Sequence, residues 1–128
     1  MFITALAAVC LMGFATVALG ATSFKTTLVF QGTQPTADPD ELNFFGKINS
    51  PKATCKRGRQ VRFATAPAGS GGPFTPVGST TSDTTGQWDR DIDVTGSPDI
   101  KVSTPRKKFG PTGNRKTCKS HAILLTAG

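Results

Sequence analysis

The chain has 128 residues, with 15 Lys and Arg against 8 Asp and Glu, giving a net charge of +7 and a sequence pI near 9.8. This length fits one domain. With 3 Cys and 1 His, the chain lacks the ligand set of an ordinary zinc site, and no helical hydrophobic period runs along it.

Residues 3–19, ITALAAVCLMGFATVAL, carry no charge, and Ala18 and Gly20 place small residues where a signal peptidase cuts. We read residues 1–20 as a signal peptide cleaved after Gly20. MFIT contains no Lys or Arg, so a retained membrane anchor is the alternative. Cys10 sits inside this run behind the bulky Val9 and reads as a passive apolar residue rather than an acylation site. Beyond residue 20 two cysteines remain, Cys55 and Cys118. In a secreted or cell-surface protein they are expected to form the one disulfide open to them.

The remainder alternates between strand-like runs and turn signals. In 22–30 (TSFKTTLVF) Phe24, Leu28 and Phe30 share one face of a first strand, and QGTQPTADPDE follows as a loop. The next strand, 42–50, turns Leu42, Phe44 and Ile48 inward; 59–66 does the same with Val61 and Phe63 and leaves Arg62 outside. PAGSGGPF reads as a flexible loop. Strands at 75–82 and 87–94 then flank DTTG, with Trp88, Ile92 and Val94 in the core and Arg90 an awkward member of that face. A sixth strand spans 99–104, a long basic loop covers 105–117, and a seventh strand spans 118–126. Seven short antiparallel strands without a helix predict an all-β sandwich of two sheets, immunoglobulin-like in architecture, with one disulfide. Residues 21–41 form a first strand and linker, and 42–128 the sandwich domain.

Gly46 and Ile48, Val61 and Phe63, then Thr81, Asp83, Gly86 and Trp88 carry a pattern that resembles the carboxypeptidase regulatory-like, or transthyretin-like, β-sandwich domains, here over roughly residues 44–126. The resemblance implies an accessory or scaffold module without a reaction of its own. The Cys pair departs from the general pattern of that family.

Asp83 invites comparison with the Asp-Thr-Gly of aspartic proteases, but Thr85 displaces Gly86 and polar Ser82 precedes it. We read Asp83 and Gly86 as a hairpin corner and Trp88 as its anchor in the core. Asp89, Asp91 and Asp93 have the opening spacing of a calcium loop, yet Val94 stands where Gly is needed and Ile100 where Glu is needed. His121, on a strand, reads as exposed, and no nucleophile elbow accompanies it. No catalytic, cofactor or metal residues are assigned, and a small hydrolase is the least supported alternative.

Charge placement is the most informative feature. Lys52, Lys56, Arg57 and Arg59 surround Cys55, and Arg106, Lys107, Lys108, Arg115, Lys116 and Lys119 surround Cys118. A disulfide would merge the two groups into one basic patch. The expected function is a non-catalytic secreted binding or scaffold module. The alternative within that class is a cationic protein that binds anionic polymers or membranes through this patch, without specific nucleic-acid readout. Charge serving only solubility and edge protection is the rival explanation of the same residues.

Overall fold

Wherever apolar side chains recur at every second position, the chain is extended. The computed structural model describes residues 22–126; the expected signal segment, Cys10 and the cleavage position lie outside the described residues. Ten strands occur among them: β1 (Ser23–Phe24), β2 (Thr27–Pro35), β3 (Glu41–Asn49), β4 (Gln60–Ala66), β5 (Thr75–Thr81), β6 (Gln87–Asp93), β7 (Asp99–Thr104), β8 (Lys107–Phe109), β9 (Lys116–Cys118) and β10 (His121–Leu125). One 3₁₀ turn, Ala53–Cys55, lies between β3 and β4.

The strands form a four-stranded sheet in the order β10-β7-β4-β5 and two three-stranded sheets, β2-β3-β6 and β1-β9-β8. The first two share a core. Leu28, Phe44, Ile48, Trp88 and Ile92 come from one sheet, and Val61, Phe63, Ile100 and Val102 from the other. Phe63 meets the Trp88 ring edge-on at 5.7 Å and lies 6.4 Å from Phe44. Each such side chain contributes about 1.5–3 kcal/mol on burial, so these two sheets carry most of the apolar driving force.

The edge strands of the two sheets lie side by side without joining into one sheet. β5 lies beside β6 and β10 beside β2. At the second seam the Leu28 N–H donates to His121 Nδ1 at 2.9 Å, which makes His121 a half-buried structural acceptor rather than the exposed residue expected. At the first seam Arg90 leaves the inner face of β6 and covers Gly78 of β5, where a Cβ would stand 3.0 Å from Nε. That placement resolves the awkward Arg within an otherwise apolar alternation.

The strand boundaries also differ from those expected. The single first strand is broken at Lys25–Thr26: β1 pairs in parallel with β9, Phe24 opposite Cys118, so the pairing is not wholly antiparallel. The segment read as a loop after Phe30 is largely strand, because β2 stays paired to β3 as far as Pro35 opposite Leu42, with a register shift between Phe30 and Gly32. Pro35 is tolerated because β2 is an edge strand of its sheet. The basic loop contains β8 and β9, an antiparallel pair in which Lys107 faces Cys118 and Phe109 faces Lys116. Ten strands therefore replace the seven expected.

The β5–β6 connection is a sheet-to-sheet corner rather than a hairpin, since its two strands belong to different sheets. Asp83 Oδ1 accepts from the Thr85 hydroxyl at 2.7 Å, the Thr85 N–H at 2.8 Å and the Gln87 N–H at 2.9 Å. Gly86 has φ +91°, and a Cβ there would lie 2.9 Å from the Ile48 carbonyl. Trp88, 3% exposed, enters the core two residues later.

Candidate functional site

Cys55 and Cys118 are joined, with Cα atoms 5.4 Å apart and both residues fully buried. The 3₁₀ turn supplies Cys55, and the end of β9 supplies Cys118. The bond fastens the small β1-β9-β8 sheet to the start of β4, at one end of the main sheets. Two basic segments far apart in sequence therefore meet there.

Arg59 departs from the expected patch. It is 1% exposed, and its guanidinium is consumed inside the fold. Nη1 donates to the Cys55 carbonyl at 2.8 Å and the Thr26 hydroxyl at 3.0 Å; Nη2 donates to the Pro105 carbonyl at 2.9 Å and the Lys119 carbonyl at 3.1 Å. One planar fork thus ties together the β1–β2 break, the 3₁₀ turn and the chain segments entering β8 and β10. Burial pushes the Arg59 guanidinium below its ordinary value, but Arg remains a cation in proteins. Its charge is spread over neutral oxygens, and it is unavailable to an external ligand.

The other nine candidates are exposed or half-buried: Lys52, Lys56, Arg57, Arg106, Lys107, Lys108, Arg115, Lys116 and Lys119. Lys107 Nζ reaches the Arg57 carbonyl at 3.5 Å across the two segments. Phe24 and Phe109 pack 6.1 Å apart on the small sheet, and Lys52 Nζ stands 5.8 Å from the Phe24 centroid. The rings hold the small sheet together and fix one Lys above it. Lys25, which sequence reasoning left out, joins Lys56 around an open depression of about 330 Å³ that also includes Thr27, Asn49 and Ser50. Its position within the strand break hid this role.

Carboxylates concentrate elsewhere. Glu41 pairs in register with Asp93 and Asn43 with Asp91, at the far end of β3 from Asn49; Asp38 and Asp40 precede that end. The separation is most of a nine-residue strand, roughly 25 Å. Asp83 lies at the basic end, but its carboxylate is turned into its own corner. The Thr85 hydroxyl first, then the Gln87 and Thr85 N–H groups, hold it below the usual carboxylate range. These bonds make Asp83 the cap of its own corner. Asn43 Nδ2 donates to Asp89 at 3.0 Å and Asp91 at 2.8 Å, bridging the two strand carboxylates. Among the described residues no three His, Cys, Asp or Glu side chains are grouped to hold a metal ion.

No protein-family model, curated protein or solved structure matches the chain.

Proposed function

We propose that this chain is a non-catalytic, secreted or cell-surface β-sandwich module of the transthyretin-like, carboxypeptidase regulatory-like kind, and that it binds anionic polymers through its disulfide-anchored basic end. The observation that carries the reading is the Cys55–Cys118 bond, which unites nine accessible cations from two distant segments. A disulfide also suits an oxidising compartment. Lys dominates the group, which favours dispersed polyanion charge over planar bidentate recognition. Such a surface raises the local concentration of wall polymers, acidic polysaccharides or anionic lipids, and its attraction falls as salt shortens the screening length.

The test is retention on immobilised heparin. Elution above roughly 0.3 M NaCl, where the screening length is about 6 Å, supports the reading. Elution at low salt, together with an unchanged profile when Lys107, Lys108, Arg115 and Lys116 are replaced by Gln, would leave the charge with a solubilising role only.

A further inference from the structure

The outer face of the four-stranded sheet carries cations of its own. On β4, Arg62 and Ala64 alternate with the buried Val61 and Phe63, and on β7, Lys101 and Ser103 alternate with the buried Ile100, Val102 and Thr104. Arg62 pairs with Ser103 and Ala64 with Lys101, so the two cations are diagonal neighbours, their backbones about 7–8 Å apart. Two depressions cross this face, of about 580 and 460 Å³, and Arg62, Lys101 and Ser103 line both. They form one trough. Its far end is walled by Phe74 and Pro76; its near end reaches Pro105 and Ser120, which adjoin Arg106 and Lys119 of the basic end. From the level of Pro76 to Pro105 the course covers two strand spacings and about four residues of β7, roughly 15–20 Å.

The lining selects the occupant. Among the described residues no Asp or Glu lines the trough. Asp99 shares the outward phase of β7, but it is buried and its Oδ2 accepts the Gly69 N–H at 3.1 Å. Arg62 is steadied through Nε, which donates to Gln60 Oε1 at 3.1 Å, so its Nη fork is left for a ligand. Ser79, Ser103 and Ser120 add hydroxyls that both donate and accept. His121 adds a donor, because its Nδ1 accepts from Leu28 and the neutral ring then carries its proton on Nε2. Cations set among hydroxyls match an acidic saccharide, whose ring hydroxyls need partners as well as its charges. Stacked bases would call for several aromatic rings, and Phe74 is the one exposed enough to serve. Resting on the polyanion-binding function above, we propose that the trough is a track for a linear acidic polysaccharide, sulfated or uronic. The chain enters at the basic end, crosses Arg62 and Lys101, and ends against Phe74.

The test titrates a heparin hexasaccharide into the oxidised chain and follows backbone amides by NMR. The expected result is saturable shifts at Ala64, Lys101, Ser103 and Ala122 together with those at Lys107 and Lys119. Shifts at the basic end alone overturn the track and leave the polyanion-binding function standing. Shifts on the sheet face alone keep the saccharide site and overturn the basic-end function, and shifts at neither overturn both. Arg62→Gln/Lys101→Gln, at two exposed positions, is expected to weaken binding about five- to tenfold. Phe74→Ala changes no charge and is expected to weaken it about threefold; unchanged affinity in both variants overturns the track. Equal or tighter binding of a single-stranded DNA of matched charge at the same sheet-face amides overturns the saccharide as its occupant.

Discussion

Gly46 lies directly against Trp88. The two residues are paired across β3 and β6, and a Cβ at position 46 would stand 2.5 Å from Trp88 Cζ2 while also meeting the Val29 carbonyl. Neither obstacle is the free end of a flexible side chain, so the strand or the indole must move. Gly46→Ala is expected to lower stability by about 1–3 kcal/mol, the range of overpacked core sites. Chemical denaturation followed by Trp88 fluorescence measures it; a loss under about 0.5 kcal/mol would show that the indole relocates freely.

Replacing Arg59 is expected to be more damaging than replacing any of its basic neighbours. Arg59→Met leaves the Cys55, Pro105 and Lys119 carbonyls without their donor, and Arg59→Lys supplies a point charge that cannot reach all of them. Each buried carbonyl left without its donor costs about 1–3 kcal/mol. Thermal unfolding should show both variants far below Lys108→Gln, which alters an exposed side chain. Similar melting for all three would remove Arg59 from its structural role.

The disulfide spans 63 residues. In the chain-entropy model a loop of that size stabilises the fold by about 4 kcal/mol. Cys55→Ala/Cys118→Ala is therefore expected to unfold at much lower denaturant, and to lose heparin retention under conditions where its main sheets remain folded by circular dichroism. Retention equal to that of the oxidised chain would mean that the cations gather without the bond.

Acid should weaken the corners at Asp83 and Asp93. Both carboxyls are held low in the folded chain, Asp83 chiefly by the Thr85 hydroxyl and Asp93 chiefly by the Thr95 hydroxyl. A depressed folded value contributes stability that is present above the unfolded value, about 3.9, and is lost as pH falls through the folded one. Melting temperature is thus expected to fall below about pH 4. Asp83→Asn/Asp93→Asn should melt lower near pH 6 and lose less on acidification; parallel curves for the two proteins would contradict this.

At the β2–β10 seam, Asn is expected to replace His121 and Leu to fail. Asn can place its Oδ1 near the position of the ring Nδ1 that accepts from Leu28, whereas Leu leaves that N–H without its partner. The difference should be about 1–2 kcal/mol. Hydrogen exchange at the Leu28 amide reports it directly, and equal protection in the two variants would show that the bond is dispensable.

Strict alternation made the central strands readable. Val61 and Phe63, Trp88 and Ile92, and Ile100 and Val102 are buried as their spacing indicates. The break between β1 and β2 was hidden because Phe24 and Leu28 keep the same parity across it, while Thr26, 2% exposed, is held inside by Arg59 rather than by apolarity. β8 and β9 have no hydrophobic alternation; a disulfide and one aromatic pair hold them. Arg59 did leave a trace, since 59, 61 and 63 share the inward phase of β4, but a Lys- and Arg-rich segment masks the phase of any one member.

The separation of charge also gives the molecule a preferred posture. With cations gathered beside Cys118 and carboxylates around Glu41 and Asp93, a negatively charged surface exerts a torque as well as an attraction. The chain is expected to settle upright, its strands steeply inclined to that surface and the end bearing Phe30 and Leu125 directed away from it, toward passing solutes.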